Sequence, residues 1–576
     1  EGQKPEEVKD LLLTQLDSIK QGRFGEWLIK AIINDYKISK MKEYESNRSR
    51  ADAFVEAFIS RRPWTEQIKE IDILESFTKQ DVTDFAKNNL SNYLVIYKRV
   101  GVDTTIRKVP KPKISTVYLN RERQSEFYTK VMGQPSDSLA PVFIDFGKDL
   151  QKSKAGRLPV HYKKNVENGL FNLYYVWDFG KDNNPSYGIA TAYFDYLGTV
   201  SYSAQELKKE FFKLGCSYSF SAGSDAIYFS LSGLHENFLA ALKLFEELIQ
   251  NPKPDQQALS DMIAGILKSR ADSKLSKDVI LRSAMASYAK YGPKNPFTNI
   301  VPEEELKKLK PENLTALFRQ LYTYPHRALY YGPEEMTQLN VLLNQSHKAT
   351  FKNKEPILKK YPFKDINENI VYWVDYNMVQ AEIMFLTKSI QYDPKLIPAA
   401  YLFNEYFGGG MGSLVFQEMR ESKALAYSVN SKYVTAGRKE DPNYISSYIG
   451  TQADKIQDAI EGLQSLIEDM PKSDVLFGNS KSSLIETLNT DRITKSEILF
   501  EYEKAKKLGL DYDIRRDIYK NIKTMTFADI EAFQKKYLKG QKKIMLVVGS
   551  KDKINFNALS KYGKVQQLTL KEIFGY

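Results

Sequence analysis

Two donor side chains, Arg420 and Tyr427, stand seven residues apart in the run FGGGMGSLVFQEMRESKALAYSV, from Phe407 to Val429. Arginine offers a rigid fork of N–H donors and tyrosine a single hydroxyl. Converging on one peptide carbonyl, they could hold it and stabilise charge developing on its oxygen. Spacing alone leaves the commoner alternative open, an exposed helical arginine and a strand tyrosine with no shared task. The glycines before them (Gly408, Gly409, Gly410 and Gly412) follow helix-like AAYLFNEYF, with no G-K-[ST] and no acidic residue on a following strand. That context argues against a phosphate cradle and for a helix end followed by a tight turn.

Metal chemistry finds little support. The four histidines are His161, His235, His326 and His347. None stands at i, i+4 from another, and neither H-E-x-x-H nor H-x-x-E-H occurs. His235 and Glu236 follow a strand pattern and precede a helix pattern, which reads as a helix start. The single cysteine, Cys216, cannot form an intrachain disulfide and reads as a buried, inert thiol beside SYSF. No metal site is expected in this chain.

The elements that must position Arg420 and Tyr427 recur along the sequence. FTKQDVTDFAKNNLSNYLVIYKRVG, KLKPENLTALFRQLYTYPHRALYYGP and TMTFADIEAFQKKYLKGQKKIMLVVGS each read as an N-cap, an amphipathic helix and a short β-rich run. The β-rich runs are Tyr93 to Tyr97, Ala328 to Tyr331 and Ile544 to Val548. FLAALKLFEELIQNPKPD matches IQDAIEGLQSLIEDMPKSD, with Ile249 against Ile467. In the first of these, Phe238, Ala241, Leu242, Phe245, Leu248 and Ile249 fall on one helical face. LLLTQLDSIKQGRFGEW is a weaker copy, with Ile19 at the same place. Hairpin patterns precede the two stronger copies: Tyr218, Phe220, Ile227, Phe229 and Leu231 alternate around SAGSD, and AYSVNSKYV and NYISSYIG flank TAGRKEDP. Aromatic opening strands stand at LFNLYYVWDFG, NIVYWVDYN and AEIMFLTKSI.

The expectation is an α+β fold of duplicated units, each a largely antiparallel sheet layered with helices. The first copy lacks its opening strands and hairpin, so Glu1 falls inside a unit. Residues 104–156, with scattered Pro and no period, read as a long connector.

Composition narrows the function. Lys plus Arg number 83 and Asp plus Glu 72, a net charge of +11 interspersed as in KKEFFK and EEELKKLK. Mixed charges make a solvated surface, and no basic stripe with stacking aromatics suggests nucleic acid. No apolar run reaches membrane-spanning length. EGQKPEEVKD has neither a basic start nor an apolar signal core. The compartment stays open: periplasm or cell envelope if a signal lies upstream, cytoplasm otherwise.

The run from Gly408 to Val429 resembles the signature of the non-catalytic domain of the pitrilysin/insulinase metallopeptidases, G-G-G-x-x-S-x-L-F-Q-E-x-R-E-x-x-x-L-A-Y-S-V, with VF in place of LF. The resemblance extends over the duplication and connector. It implies tandem mitochondrial-processing-peptidase-like units: 1–103 the end of a second unit, 104–156 the connector between halves, 157–361 a third unit and 362–576 a fourth. It also implies a clamshell zinc endopeptidase that takes unfolded peptides as an added strand on a sheet edge. Arg420 and Tyr427 match the family's substrate-contact pair. The place of the catalytic helix in the third unit reads IATAYFDYLGTVSYSAQEL, where Ala192 to Tyr196 offer one carboxylate, Asp195, and no imidazole. Zinc and the catalytic base are therefore expected in an N-terminal half, covalently attached or separate, and this chain alone is expected to be inactive. The rival expectation is a non-catalytic peptide-binding or assembly subunit paired with a zinc-bearing chain.

Overall fold

The computed structural model describes residues 4–98, 101, 105, 109–110, 123–135 and 139–576. Alternating and continuous apolar runs build two six-stranded sheets. The first holds β1 (Gln151–Ala155), β2 (Leu158–Lys164), β3 (Leu170–Trp177), β4 (Cys216–Ala222), β5 (Ile227–Leu234) and β6 (Arg327–Gly332), in the order β1-β2-β6-β3-β5-β4. The second holds β7 (Ile370–Asp375), β8 (Gln380–Gln391), β9 (Ser428–Val434), β10 (Pro442–Gln452), β11 (Ile544–Gly549) and β12 (Lys564–Gln567), in the order β12-β7-β11-β8-β10-β9. Five strands run in the same order and directions in both. β6 lies parallel to β2 and antiparallel to β3, and β11 lies parallel to β7 and antiparallel to β8. Only the strand beyond β2 or β7 differs: β1 is antiparallel to its neighbour and β12 parallel. The fold is α+β, with mostly antiparallel sheets covered by helices.

Register follows alternation. Pairing of β4 with β5 sets Tyr218 against Leu231 and Phe220 against Phe229, with the two phenylalanine rings 4.6 Å apart. The helix Phe238–Gln250 lays its whole expected face on this sheet, and all six side chains of that face are buried. Helix Ile456–Glu468 does the same in the second sheet with Ile456, Ala459, Ile460, Leu463, Leu466 and Ile467. Each fully buried Leu, Ile or Phe side chain contributes about 1.5–3 kcal/mol, an upper bound because the unfolded chain already hides some apolar surface.

The opposite face of each sheet is covered by the other half of the molecule. Ile498, Leu499 and Tyr502 of helix Glu497–Lys507 pack on Val176, Leu329 and Tyr331 of the first sheet. Ile280, Leu281, Ala284 and Met285, on a π-helical stretch (Val279–Met285), pack on Tyr372, Val374, Met384, Leu386, Leu546 and Val548 of the second. This reciprocal cover explains why ALYY in β6 and IMLVV in β11 are apolar without a break: both faces are dry. Ions cross the seam as well. Arg327 donates to Asp178 at 2.7 and 3.0 Å and also to Glu503, which stands 3.0 Å from His161 Nδ1. Burial opposes ionisation of Glu503, but the His161 and Arg327 partners hold its carboxyl below the ordinary value.

One sequence expectation needs correction. Tyr93 to Tyr97 form no strand. Their helix, Lys79–Asn89, is made as expected: Asp81 accepts the Thr78 N–H at 2.8 Å, as Asn313 accepts Lys310 N–H at 3.0 Å and Asp529 accepts Thr526 N–H at 2.7 Å. A strand, however, needs partners, and β6 and β11 each have one on both sides. No described strand flanks residues 91–98, so the local β preference goes unused. Within residues 104–156, read as a connector, the described part is structured, which the lack of a sequence period did not show. It contains a helix (Glu126–Met132) and β1, and Ile144 is buried with its N–H donating to Asp513 at 3.0 Å. β1 escaped notice because its QKSKA is polar and lies on an edge, where no apolar pattern is required.

Candidate functional site

Helix Ile397–Phe407 ends where Asn404 O accepts the N–H groups of Gly408 and Gly409, at 3.1 and 2.7 Å. The chain then turns sharply, and Gly408 is held against β9. A Cβ there would lie 2.4 Å from Ser431 O and 2.6 Å from its N. The glycine is required by this close approach rather than by a left-handed φ, its φ being −156°. Gly408→Ala is expected to shift β9 and lower stability by about 1–3 kcal/mol, read as a drop in the urea midpoint. The same contact caps the sheet edge: Gly408 O accepts Ser431 N–H at 3.3 Å, and the Asn404 side chain both accepts from and donates to the Tyr433 backbone, at 2.7 and 3.0 Å. A peptide strand cannot extend along β9 past Ser431 without displacing this helix end.

After Ser413, a single turn (Leu414–Phe416) passes into a π-helical turn, Gln417–Ser422. The helix is thus widened here, its bonds reaching i→i+5 and each turn holding about one residue more, a local departure that is common at functional sites. Met419 is fully buried in the core beside Gly462, and this aims Arg420 outward. Ala424 takes a left-handed conformation, φ +48°, unusual for a residue with a Cβ. Lys455 Nζ donates to the Ala424 carbonyl at 3.1 Å, and Thr451 Oγ1 to that of Leu425 at 2.6 Å. The Tyr427 N–H then joins the sheet through Gly450 O at 3.0 Å.

The turn brings the two predicted site residues together. The Arg420 guanidinium lies 4.9 Å from the Phe416 ring centre and 5.7 Å from that of Tyr427. Glu421 is its ion-pair neighbour, 3.6 Å from Nε. Tyr427 is 77% exposed, standing on the surface just before β9. Both line a cleft of about 390 Å³ with Gln380, Glu421, Gln452 and Lys455. The corresponding turn of the first sheet also passes through a left-handed residue, Gly215. There the residues four before and three after are Phe211 and Tyr218, with rings packed 4.4 Å apart. The outward Arg–Tyr arrangement therefore belongs to the second sheet. Sequence reasoning missed Lys455 and Gln380; each is distant in sequence and lies in no motif, so only the fold could have found them.

A second concentration of chemistry is buried. His326 and His347 meet through their Nε2 atoms at 2.7 Å, and His347 Nδ1 stands 3.0 Å from Glu246. Tyr175 and Tyr322 each donate to Glu246 at 2.6 Å, and His326 Nδ1 lies 2.8 Å from Tyr324 O. These contacts tie the two imidazoles to each other, to the Glu246 carboxylate and to the Tyr324 carbonyl. Burial opposes the carboxylate, but His347 and the two hydroxyls hold Glu246 below its ordinary value. Burial, with the neighbouring His347, pushes His326 down to about 3. Two nitrogens bound tetrahedrally to zinc would stand about 3.3 Å apart; these are hydrogen-bonded instead. Among the described residues no group of three or more His, Cys, Asp or Glu side chains could hold a metal ion. Cys216 is buried, and burial pushes its thiol up to about 12. No described helix is long and apolar enough to cross a membrane.

Residues 308–475, which include the whole Arg420–Tyr427 turn, match the family model described as the peptidase M16 inactive domain. That stretch is similar to an M16 inactive domain. This is the family that the glycine-rich motif resembles. A Helicobacter pylori protein named non-peptidase homolog YmxG is 19% identical over 427 residues, covering 70% of this chain and 94% of that one. A Rickettsia felis protein named as an uncharacterized zinc protease is 21% identical over 333 residues, covering 55% of this chain and 75% of that one. The periplasmic protease PqqL of Escherichia coli has the same fold, with a TM-score of 0.57 at 13% identity over 94% of this chain. This chain spans only 63% of that protease.

Proposed function

We propose that this chain is the C-terminal half of a zinc endopeptidase that degrades unfolded peptides in a chamber closed by two halves, with this half binding substrate. The observation that carries the reading is the outward pair Arg420 and Tyr427 at the cleft beside β9. Two donors side by side, with one ring against the guanidinium, suit a peptide carbonyl. Lys455 and Gln380 in the same cleft add polar contacts for a peptide backbone. Zinc and the general base would belong to the other half; the side chains here do not fit a zinc centre, and this chain's part is to bind and orient the peptide. The capped edge of β9 favours holding a carbonyl near Tyr427 over pairing with a long added strand.

The test is cleavage of a quenched fluorescent peptide by this chain alone, and mixed with the N-terminal half and zinc. Activity is expected only in the mixture. Tyr427→Phe should cost about tenfold in kcat/KM and Arg420→Ala about 10–100-fold, as expected for lost charge-assisted hydrogen bonds. Unchanged activity in both variants would sink the substrate-contact role.

A second reading, a non-catalytic peptide-binding or assembly subunit, is favoured by the relative named a non-peptidase homolog, most of whose length this chain matches. A silent mixture that still binds the peptide would favour it.

A further inference from the structure

The tips of the β4–β5 and β9–β10 hairpins meet at the seam, beside a cavity of about 920 Å³. Most charges around it are already matched. Asp225 accepts from Arg438 and, at 3.0 Å, from Lys507 Nζ. Glu440 accepts from Lys360 at 3.0 Å, Arg282 donates to Asp278 at 2.9 Å, and Lys359 donates to Asn299 Oδ1 at 3.0 Å. Asp441 feels both Arg438 and Lys360. Two groups of the lining lack such a match. Asp182 is 8% exposed, and its Oδ1 is buried without a hydrogen-bond partner. Its backbone is satisfied: the N–H donates to Ser224 O at 3.1 Å, and the carbonyl accepts from Asn299 Nδ2 at 3.3 Å. Lys181 and Lys359 act on the carboxylate without bonding it, and burial pushes it up to about 6. The other group is Lys290. It holds the place that Lys507 holds in the opposite half: each stands two residues before a left-handed glycine, Gly292 or Gly509. Each also has a carbonyl that accepts a lysine N–H, from Lys364 at 2.8 Å and from Lys439 at 3.2 Å. Yet Lys507 meets Asp225, whereas Lys290 Nζ meets the Tyr444 ring, 4.8 Å from its centre, and no described carboxylate. Burial holds the Lys290 ammonium below its usual value. Tyr361 adds a buried hydroxyl that has no partner.

We propose that the seam cavity binds a short peptide by its two free ends, with the terminal ammonium on Asp182 and the terminal carboxylate on Lys290. Unpaired charges held away from water are costly, and a ligand that pairs them recovers that cost. The ligand must carry both signs. An anion alone would satisfy Lys290 and face Asp182, and a cation alone would do the reverse. Each end would make a charge-assisted hydrogen bond, stronger than one between neutral groups. Pro296, Leu358 and Phe363 give the cavity an apolar wall for a side chain between the ends. The volume lies in the range of small-ligand cavities, about 300–1,000 Å³. A single small amino acid would leave most of it unfilled. The cavity shares no lining residue with the Arg420–Tyr427 cleft, so the proposal goes beyond the peptidase reading and does not depend on it. Because the lining comes from both hairpin tips, an occupant would also tie the two halves together, and a ligand bound only by the folded chain raises its stability.

The test is isothermal titration calorimetry of the full chain at neutral pH with the tripeptide alanyl-phenylalanyl-alanine, its N-acetyl form and its C-terminal amide. The free tripeptide is expected to bind at one saturable site, and each blocked form at least about tenfold more weakly, the usual loss for a hydrogen bond to a charged group. Asp182→Asn should fold, since it removes an unpaired buried charge, and should no longer distinguish the free amine from the acetylated one. Lys290→Gln should no longer distinguish the acid from the amide. Each variant should keep the discrimination that belongs to the other end, a pattern that general loosening of the seam would not produce. Arg420→Ala should bind the tripeptide as the native chain does. No binding up to about 10 mM peptide, a Kd too weak to matter, overturns the proposal, and so does equal binding of the free and blocked forms. Full discrimination by Asp182→Asn and Lys290→Gln overturns it as well. Binding that is lost in Arg420→Ala places the peptide in the other cleft, which overturns the seam site and supports the peptidase reading. A silent seam with a working cleft, or the reverse, therefore separates the two proposals.

Discussion

Arg327→Ala lowers stability by about 3–5 kcal/mol, the usual cost of breaking a buried pair by removing one partner. Arg327 is the last residue before the buried run of β6, and its guanidinium joins Asp178 of the first sheet's half to Glu503 of the helix that covers that sheet. The carboxylates of Glu503 and Arg327's own side chain are both mostly buried, so water cannot take over the lost contacts. Glu503 would keep only His161. Because the network spans the seam, the loss should also show as lower cooperativity. Urea unfolding followed by tryptophan fluorescence and by far-UV circular dichroism should coincide in the native chain and separate in the variant. A double-mutant cycle with Glu503→Gln is expected to give a coupling above about 1 kcal/mol; a coupling near zero would mean that the seam is held by its apolar contacts alone.

Glu246→Gln should cost a similar amount, about 3–5 kcal/mol, for a related reason. It removes the buried carboxylate that stands against His347, and it sets an amide donor against one of two tyrosine hydroxyls that both donate. The native chain should also be acid-sensitive. His326 is held near 3 in the folded state against an ordinary 6.5. The unfolded chain therefore binds more protons in that window, and stability falls as pH drops below about 6.5. Glu246 is held below its ordinary 4.5, so its contribution is present above that value and is lost as pH falls through the folded value. Urea midpoints at pH 7, 5.5 and 4.5 should decline in that order. His326→Gln should flatten the decline between pH 7 and 5.5. A midpoint independent of pH down to 4.5 would show that the cluster is not linked to folding.

Much of the fold is legible because local pattern and final burial coincide. Phe238, Ala241, Leu242, Phe245, Leu248 and Ile249 lie on one face of any α-helix, and a helix on a sheet must bury that face. Tyr218 to Leu231 alternate because a hairpin with one dry face requires it. The Arg420–Tyr427 turn was found by its motif, since its glycines, buried Met419 and outward arginine are constrained by contacts within a few dozen residues. Where pattern and burial part, the sequence misleads. Tyr93 to Tyr97 have strand composition, but strand formation depends on neighbours far away or elsewhere. β1 has a strand's partners without a strand's composition.

The sequence by itself therefore determined the α+β class, the helical faces and the hairpins, all properties of periodicities of two and 3.6 residues. Only the tertiary structure decided that each sheet is roofed by the opposite half of the molecule, that Glu246, His326 and His347 meet in the core, that Lys455 and Gln380 share the cleft, and that the outer edge of β9 is closed. Those features join residues from tens to hundreds of positions apart. No local pattern encodes such contacts, because what selects them is the burial of two sheets at once.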